Sequence, residues 1–373
     1  MAVKIETRSI ESSAATEIYI SATPQQKAPP RKLAEQIFRG IRDILRSRNA
    51  RILQERVFAT KTVMEILSRA HRAAYAGSGL DDGVAPSFLV GDEGTIGPIA
   101  GVQVYALSGD VETEVIDVDE VPRGRVLRSA GHKLITLSGV SVPHLAQATE
   151  QARACLEKAE AALREHGTDF LSVARTWMWL KDILSWYDDF NRVRNKFFTE
   201  RGMIGAGTRQ SMPASTGIGL GVIDGSCCGM DLFAVLEPPS STKYVQASGK
   251  QQCALEYGSA FSRASRAITP AGQTVFVSGT ASIDAAGATT NINDAWGQIN
   301  ATIENVRAVL RDMSVADDDV VHVVAYCKTT EIERVFNTLK DKFTWPWITA
   351  ICDICRTDLL FEIEATAVTK RKE

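Results

Sequence analysis

The chain alternates apolar strand-like segments with amphipathic helical segments, and this alternation occurs three times. Each copy begins with an apolar strand that carries a Ser-Gly or Ser-Ala step near its end, predicted at 17–24, 134–141 and 275–282. An amphipathic helix is predicted next, because apolar residues recur every three or four positions over about 32–45, 146–166 and 293–313. Each copy therefore starts as a strand covered by a helix.

A second strand and a second helix follow in every copy. The second strands are predicted at 53–60, 173–180 and 320–327. The second helices are predicted to end near Tyr75, Phe198 and Phe343. A strand led by proline comes next, beginning at Pro86, Pro213 or Pro346. The closing strands are predicted at 102–105, 232–236 and 360–364. The order strand–helix–strand–helix–strand–strand thus indicates an internal threefold repeat.

The repeat predicts an α+β chain built from three tandem lobes. A degenerate first lobe is predicted at 1–110, a second lobe at 133–240 and a C-terminal lobe at 261–373. Residues 111–132 are predicted to be a connector, either a loop or an irregular hairpin. Residues 241–260 follow two consecutive prolines and are predicted to be a linker.

The composition is that of a soluble globular protein and argues against several functions. The 373 residues are 45% apolar and 23% charged, and 42 Lys+Arg face 45 Asp+Glu, for a formal net charge of −3. This balance supplies no basic footprint for nucleic acid or for a membrane surface. No apolar run reaches the roughly 20 residues of a membrane span. With seven cysteines and no signal-peptide pattern, we expect a cytoplasmic protein without a disulfide scaffold.

The third copy resembles the Rid (YjgF) superfamily. Val277-Ser278-Gly279 resembles its first core strand, 298–306 its long helix and 361–368 its closing strand. Members of that superfamily are small α+β, chorismate-mutase-like lobes that assemble as trimers and hold their sites between neighbouring lobes. The resemblance therefore implies an intramolecular pseudo-trimer with a central β-barrel-like core, in which the three clefts are free to diverge.

A longer resemblance, over about 130–372, is to the chorismatases, chorismate-converting enzymes of secondary metabolism with a Rid-like fold. It rests on four stretches, Arg175-Thr176-Trp177, 213–219, 257–264 and 355–364. Three departures leave a related but different substrate open. The family's Trp-Asn-Tyr is Trp177-Met178-Trp179, its Arg-Tyr-Arg helix motif is replaced by Asn191-Arg192-Val193-Arg194, and its Pro-Arg before Phe261 is missing.

Two glutamates on the predicted closing strand are candidates for acid–base chemistry. Glu362 and Glu364 are two residues apart, so the alternation of a strand places both on one face. Alignment with the closing strand of the second copy puts Glu237 opposite Glu364 and Val235 opposite Glu362. Glu362 is then peculiar to the third copy, where an unpaired carboxylate is costly to bury. Two interpretations stand: a solvated pair on an edge strand or, as the resemblance implies, an acid–base residue at Glu362.

Three arginines are candidates for holding a substrate carboxylate, because a guanidinium donates two parallel hydrogen bonds. Arg356 either binds the substrate or forms a surface ion pair with Asp353 or Asp358. Arg263 is either a second carboxylate clamp or a solvated loop residue. Arg175 lies between apolar residues of a predicted strand, where it lines the pocket or joins a structural ion pair.

Further pocket residues follow from the resemblance. Tyr257 and the predicted loop Ser215-Thr216-Gly217-Ile218-Gly219 would shape the pocket with hydroxyl groups and an open backbone. Cys355 would line it, since chorismatases that make 3-hydroxybenzoate resemble this sequence in having a cysteine near that point. Cys352 and Cys355, both predicted on a strand, lack the second cysteine pair of a zinc site and are predicted to be small buried side chains. Tyr187 belongs to an aromatic cluster that forms either core or pocket wall.

These observations lead to the hypothesis of a cofactor-free enzyme that acts on chorismate or a related cyclic carboxylate. General acid–base catalysis by Glu362 would release pyruvate and give a hydroxybenzoate or a dihydrodiol, with Arg356 and Arg263 holding carboxylates. We expect no metal, no nucleic-acid or membrane partner, and a monomer or small homo-oligomer. The alternatives are another Rid-fold reaction, such as imine or enamine hydrolysis or a cyclisation, and a non-catalytic binding module. The arginine that Rid deaminases share after the proline of the penultimate strand is absent after Pro346.

Overall fold

The protein folds as three lobes, each a six-stranded sheet with two helices on one face. The computed structural model describes residues 2–205 and 211–370. The first lobe comprises β1 (Val3–Glu11), β2 (Ala15–Pro24), α1 (Pro30–Ser47), β3 (Arg51–Ala59), α2 (Met64–Tyr75), β4 (Ser87–Val90) and β5 (Ile99–Gly109). The second comprises β6 (Glu112–Val118), β7 (Val121–Ser129), β8 (His132–Ser141), α3 (Ala148–Glu165), β9 (Val173–Leu180), α4 (Tyr187–Glu200), β10 (Ala214–Ile218), β11 (Gly221–Val222) and β12 (Cys228–Glu237). The third comprises β13 (Lys243–Val245), β14 (Ala264–Thr269), β15 (Gly272–Ala281), α5 (Ala295–Asp312), β16 (Val320–Cys327), α6 (Thr330–Asn337), β17 (Trp347–Ile351) and β18 (Phe361–Thr369).

The three sheets share one order over five strands, which confirms the predicted repeat, and the sixth strand lies at the opposite edge in the first sheet. The orders are β1-β2-β5-β3-β4-β11, β6-β7-β8-β12-β9-β10 and β13-β14-β15-β18-β16-β17. In each sheet the closing strand lies between the first and second strands of the repeat. The strand after the proline is parallel to its neighbour, whereas the closing strand is antiparallel to both of its neighbours. Two helices per lobe are long enough to cover one face, which buries their apolar stripes.

Both segments between the predicted lobes add strands to a sheet. Residues 111–132 hold the antiparallel hairpin β6/β7, which has one register shift and extends the second sheet through β8. Ile116 and Val126 of this hairpin pack into the core under α3, which compensates for its many charged residues. Residues 241–260 contain β13, at the edge of the third sheet, and a short helix at Ala254–Tyr257.

The inner faces of the three sheets pack on one another and form a single apolar core at the centre of the molecule. The described residues contain no closed barrel, so the barrel-like core implied by the resemblance is corrected to three separate sheets. Their edges meet only over short stretches, through β11 with β4 and through the single bridges Ala214–Ser262 and Asp92–Ile351. Side-chain packing rather than a continuous hydrogen-bond ladder therefore closes the centre.

Polar contacts join the lobes in a cyclic order around this core. Gln103 Nε2 of the first lobe donates to the carbonyl of Val323 in the third lobe at 3.2 Å. Ser87 Oγ of the first lobe donates to Asp231 of the second at 2.7 Å. Glu364 of the third lobe pairs with Arg175 of the second lobe. The pseudo-threefold arrangement thus extends to individual side chains. None of the helices that the structure describes is both long and apolar enough to cross a bilayer.

Candidate active site

Most of the candidate residues meet in one cleft between the second and third lobes. The cleft has a cavity volume of about 50 Å³. α4 and β10 of the second lobe form one wall, while the start of β14, the end of β15 and the segment leading into β18 form the other. Its principal side chains are Tyr187, Arg194, Ser215, Tyr257, Phe261, Arg263, Cys355, Arg356 and Glu362.

Glu362 lies at the base of this cleft and is only 5% exposed. It is the second residue of β18, paired with Tyr326 on one side and Ala281 on the other. Burial and then the nearby charge of Glu364 raise the pKa of Glu362 to about 8, although Arg175 and Arg356 act in the opposite direction. The carboxyl is therefore mostly protonated at neutral pH and is suited to donate a proton.

Sheet register shows that this carboxyl has no counterpart in the other lobes. Glu362 lies opposite the penultimate residue of β16, and the residues in the same position are Gly229 on β12 and Gly101 on β5. A side chain at Gly229 would collide with Val222, and one at Gly101 would come within 3.0 Å of Ile348 Cδ1. Neither position has room for a side chain, so neither of the other lobes carries an acid at the place of Glu362.

The predicted internal alignment of the closing strands is wrong by six residues. By register, Glu364 corresponds to Asp231 and Gln103, not to Glu237. The expectation that Glu362 is peculiar to the third copy nevertheless agrees with the register. Glu362 and Glu364 are also not a solvated pair, because the lobe contacts bury both.

Three guanidinium groups face the cleft. Arg263 is buried, and its Nη2 donates to Tyr257 Oη at 2.6 Å while its Nε donates to the carbonyl of Gln252. Arg356 is half-buried and donates to the carbonyl of Gly287 at 2.6 Å rather than to a carboxylate. Arg263 is therefore not a solvated loop residue, and the recorded partner of Arg356 within the described residues is a backbone carbonyl rather than Asp353 or Asp358.

Arg194 is the third guanidinium, and the sequence pattern does not predict its role. It is buried between the rings of Phe190 and Phe261, with its Nη1 3.4 Å from Ser215 Oγ. Burial lowers its pKa. A signal exists in the sequence, since Arg194 occupies the apolar stripe of α4 between Phe190 and Phe197, where a charge needs a ligand or a partner.

Each wall of the cleft also carries a neutral group that holds a proton, Cys355 in the third lobe and Tyr187 in the second. Burial and then the charge of Glu362 raise the pKa of Cys355 to about 12, so this side chain is a thiol at neutral pH. Burial also raises the pKa of Tyr187, which lines the pocket and does not belong to the core alone. Cys352 and Cys355 do not lie on a strand as predicted. β17 ends at Ile351, whose carbonyl bonds to Asp92 of the first lobe, and the chain then turns away.

The segment predicted as the loop 215–219 is mostly the edge strand β10, paired in parallel with β9. Strand alternation directs Ser215 and Gly217 into the cleft and Thr216 to the opposite side. Thr216 Oγ1 accepts hydrogen bonds from Arg175 Nη2 at 2.5 Å and from the amide of Gly279 at 3.1 Å. Arg175 itself pairs with Glu364 and does not line the cleft, so of its two predicted roles the structure has the ion pair.

The arrangement combines a neutral carboxyl group with buried cationic donors. Guanidinium groups are suited to bind anions, and the protonated Glu362 is an acid within the same cleft. Within residues 2–205 and 211–370 no group of three His, Cys, Asp or Glu side chains is placed to hold a metal ion. The seven cysteines, all within the described residues, form no disulfide with one another.

Comparison with known proteins finds similar sequences and similar folds. The family model described as Endoribonuclease L-PSP matches residues 256–369. A crystal structure of a chorismatase aligns with 99% of this chain and 100% of its own, at 20% identity and a TM-score of 0.58. A putative endoribonuclease from Thermotoga maritima, 21% identical, aligns with 34% of this chain and 98% of its own at a TM-score of 0.29. No curated protein is significantly similar in sequence. Residues 256–369 thus match the Endoribonuclease L-PSP model, and the chain as a whole shares its fold with the solved chorismatase.

Proposed function

We propose that the protein is a chorismatase-like enzyme that releases pyruvate from chorismate or a closely related cyclic dicarboxylate. The observation that carries this proposal is the protonated Glu362 in a cleft with three guanidinium groups. Arg263 and Arg356 hold carboxylates, and Arg194 with Ser215 forms the wall contributed by the second lobe. The chorismatase fold of the whole chain supports the same substrate class.

The proposed reaction is general acid catalysis by Glu362. Its proton goes to the enol ether of the substrate, and the three-carbon side chain leaves as pyruvate. Loss of pyruvate with rearrangement of the ring gives a hydroxybenzoate and needs no other reactant. A dihydrodiol requires one water molecule in addition. Cys355, a neutral thiol beside the acid, lies where it influences which of these products forms.

Incubation of the pure protein with chorismate, with pyruvate measured by a coupled assay, tests the proposal. The wild-type protein should release pyruvate, and Glu362→Gln should lose about 10²-fold or more of the turnover, because the amide donates no proton. Glu333→Gln is the matched control, since Glu333 is also 5% exposed and lies in the same lobe but outside this cleft. Absence of pyruvate with the wild-type protein at high concentration contradicts the proposed substrate.

The same pair of variants separates an enzyme from a binding module. An enzyme loses turnover in Glu362→Gln while chorismate still binds, because the arginines are intact. A binding module shows no turnover in any form and binds chorismate equally well before and after the substitution. Isothermal titration with chorismate supplies the binding measurement.

A further inference from the structure

A buried ion triad lies directly behind Glu362, at the point where all three lobes meet. Glu364 pairs with Arg175 at 2.9 Å through one carboxylate oxygen and with Arg56 at 3.3 Å through the other. Trp177 Nε1 donates to the second oxygen at 3.0 Å. The side chains of the three ionised residues are at most 6% exposed, so water does not screen them.

Each lobe contributes one member of this triad. Arg56 comes from β3 of the first lobe, Arg175 from β9 of the second and Glu364 from β18 of the third. Both guanidinium groups lie over the indole of Trp177, at 4.2 and 4.8 Å from the ring centroid. Burial lowers the pKa of Arg175 to about 10, so the guanidinium still carries its charge at neutral pH.

The triad is linked to Glu362 in two ways, along strand β18 and through hydrogen bonds of Thr216. Glu362 and Glu364 occupy the same face of β18, two residues apart. Arg175 also donates to Thr216, and Thr216 accepts the amide proton of Gly279. The Glu362 carboxyl lies against Gly279, where a side chain would collide with Oε1. The position of the carboxyl in the cleft is thus fixed by groups that belong to the triad or contact it.

We propose that Glu364 is a positioning residue that, with Arg56 and Arg175, orients Glu362 and keeps its carboxyl protonated in the working enzyme. The inference rests on the proposed function, in which Glu362 is the general acid. The first lobe, which has no residue equivalent to Glu362, contributes Arg56, whose positive charge pairs with the buried carboxylate of Glu364. The charge of Glu364 opposes ionisation of Glu362 on the same face of the strand.

The charged groups around Glu362 act on its ionisation in opposite directions. Glu364 on the same strand disfavours the ionised form of Glu362, whereas Arg175 on β9 and Arg356 before β18 favour it. The remaining titratable neighbours that interact with Glu362 are neutral at pH 7, and they are Tyr187 on α4 and the thiols of Cys352 and Cys355. Removal of the Glu364 charge leaves only cations to act on the carboxyl.

Infrared titration of Glu362 in the full chain without substrate tests the proposal. Glu362→Gln identifies its carboxyl band by difference. In Glu364→Gln, the pKa of Glu362 should fall by at least about one unit, because a like charge is removed and the cations remain. The alkaline limb of the pH–turnover profile for chorismate should move to lower pH by the same amount. Glu333→Gln should leave both unchanged.

A second variant keeps the test decisive if Glu364→Gln does not fold. Arg56→Met combined with Glu364→Gln leaves no buried charge unpaired by the loss of Glu364, and a downward pKa shift is still expected because the charges that act on Glu362 are those of Glu364, Arg175 and Arg356. An unchanged pKa of Glu362 in a folded form of either protein overturns the proposal. If the pKa shifts but the wild-type protein releases no pyruvate, the positioning role stands and the proposed substrate fails.

Discussion

The carboxyl group of Glu362 occupies a strand position that is glycine in the other two lobes. Gly101 and Gly229 are the equivalent residues, and neighbouring atoms leave no room for a side chain at either of them. The burial that raises the pKa of Glu362 has opposite effects on catalysis and stability. It keeps a proton available near neutral pH, and it makes the folded state oppose ionisation of this group.

The pH dependence of turnover follows from this shift. The active form of Glu362 is the protonated one, so kcat/KM should be constant below the pKa and fall about tenfold per pH unit above about 8. The measurement is pyruvate release between pH 5 and pH 10. A rate that rises steadily through pH 8 would mean that Glu362 acts as a base.

Stability should respond to the same group with a defined sign. The folded-state pKa of about 8 exceeds the ordinary 4.5, so the unfolded state releases this proton first as pH rises. The group therefore lowers the free energy of unfolding progressively from about pH 4.5 to pH 8. The free energy of unfolding of Glu362→Gln, measured in urea, should therefore rise relative to that of the wild type as pH increases over this window. An equal difference at pH 5 and pH 8 would contradict the shifted pKa.

At the scale of elements, strand β15 shapes the site through a local irregularity. Its pairing with β18 shifts register between Val277 and Thr280, next to Glu362. Ser278 in this interval accepts the amide proton of Ser215 and so fixes the edge strand β10 across the lobe boundary. The Ser-Gly pair that recurs in the sequence is Ser278-Gly279 here, and it lies within this register shift.

Gly279→Ala tests the role of this strand. The added methyl group collides with Glu362 Oε1, so the carboxyl must move from its place in the cleft. We expect turnover to fall by about 10²-fold, with little change in the circular dichroism spectrum. Gly221→Ala is the control, because its methyl group meets nothing closer than 3.8 Å. Retention of full activity by Gly279→Ala would show that the Glu362 position is not fixed there.

At the scale of the whole molecule, the three lobes share one central core and cannot be independent units. The apolar cluster on the inner faces includes side chains from every lobe, among them Tyr105, Trp177 and Tyr326. Asp231, fully buried, accepts hydrogen bonds from Ser87 of the first lobe and from the amide of Gly139. The candidate site needs this assembly, since its walls come from two lobes and the triad behind it from three.

A single unfolding transition is the expected consequence. Far-ultraviolet circular dichroism reports all helices, and tryptophan fluorescence reports the central Trp177 and Trp179, so the two curves in urea should coincide. Asp231→Ala should move both curves together and cost about 2–3 kcal/mol, because it leaves buried donors unpaired. Two separated transitions would contradict a shared core.

The sequence by itself determined most elements of the repeat, because period and apolar alternation are local properties. The strands 173–180 and 320–327 were predicted with the bounds that β9 and β16 have, and Pro213 and Pro346 marked the parallel edge strands. It also pointed to Glu362, Arg263, Arg356 and Cys355, which line one cleft. It did not assign Arg194 to this cleft, and it aligned Glu364 with the wrong residue.

Only the tertiary structure decided which strand positions face each other and which lobe faces which. A register error of a few residues leaves the apolar pattern of a closing strand nearly unchanged, so Asp231 was not recognised as the counterpart of Glu364. The protonated state of Glu362 likewise depends on burial between lobes and on charges that lie close only after folding, as the ion pairs of Glu364 with Arg56 and Arg175 illustrate. Electrostatic environment is a property of distance in space, which the order of residues along the chain does not contain.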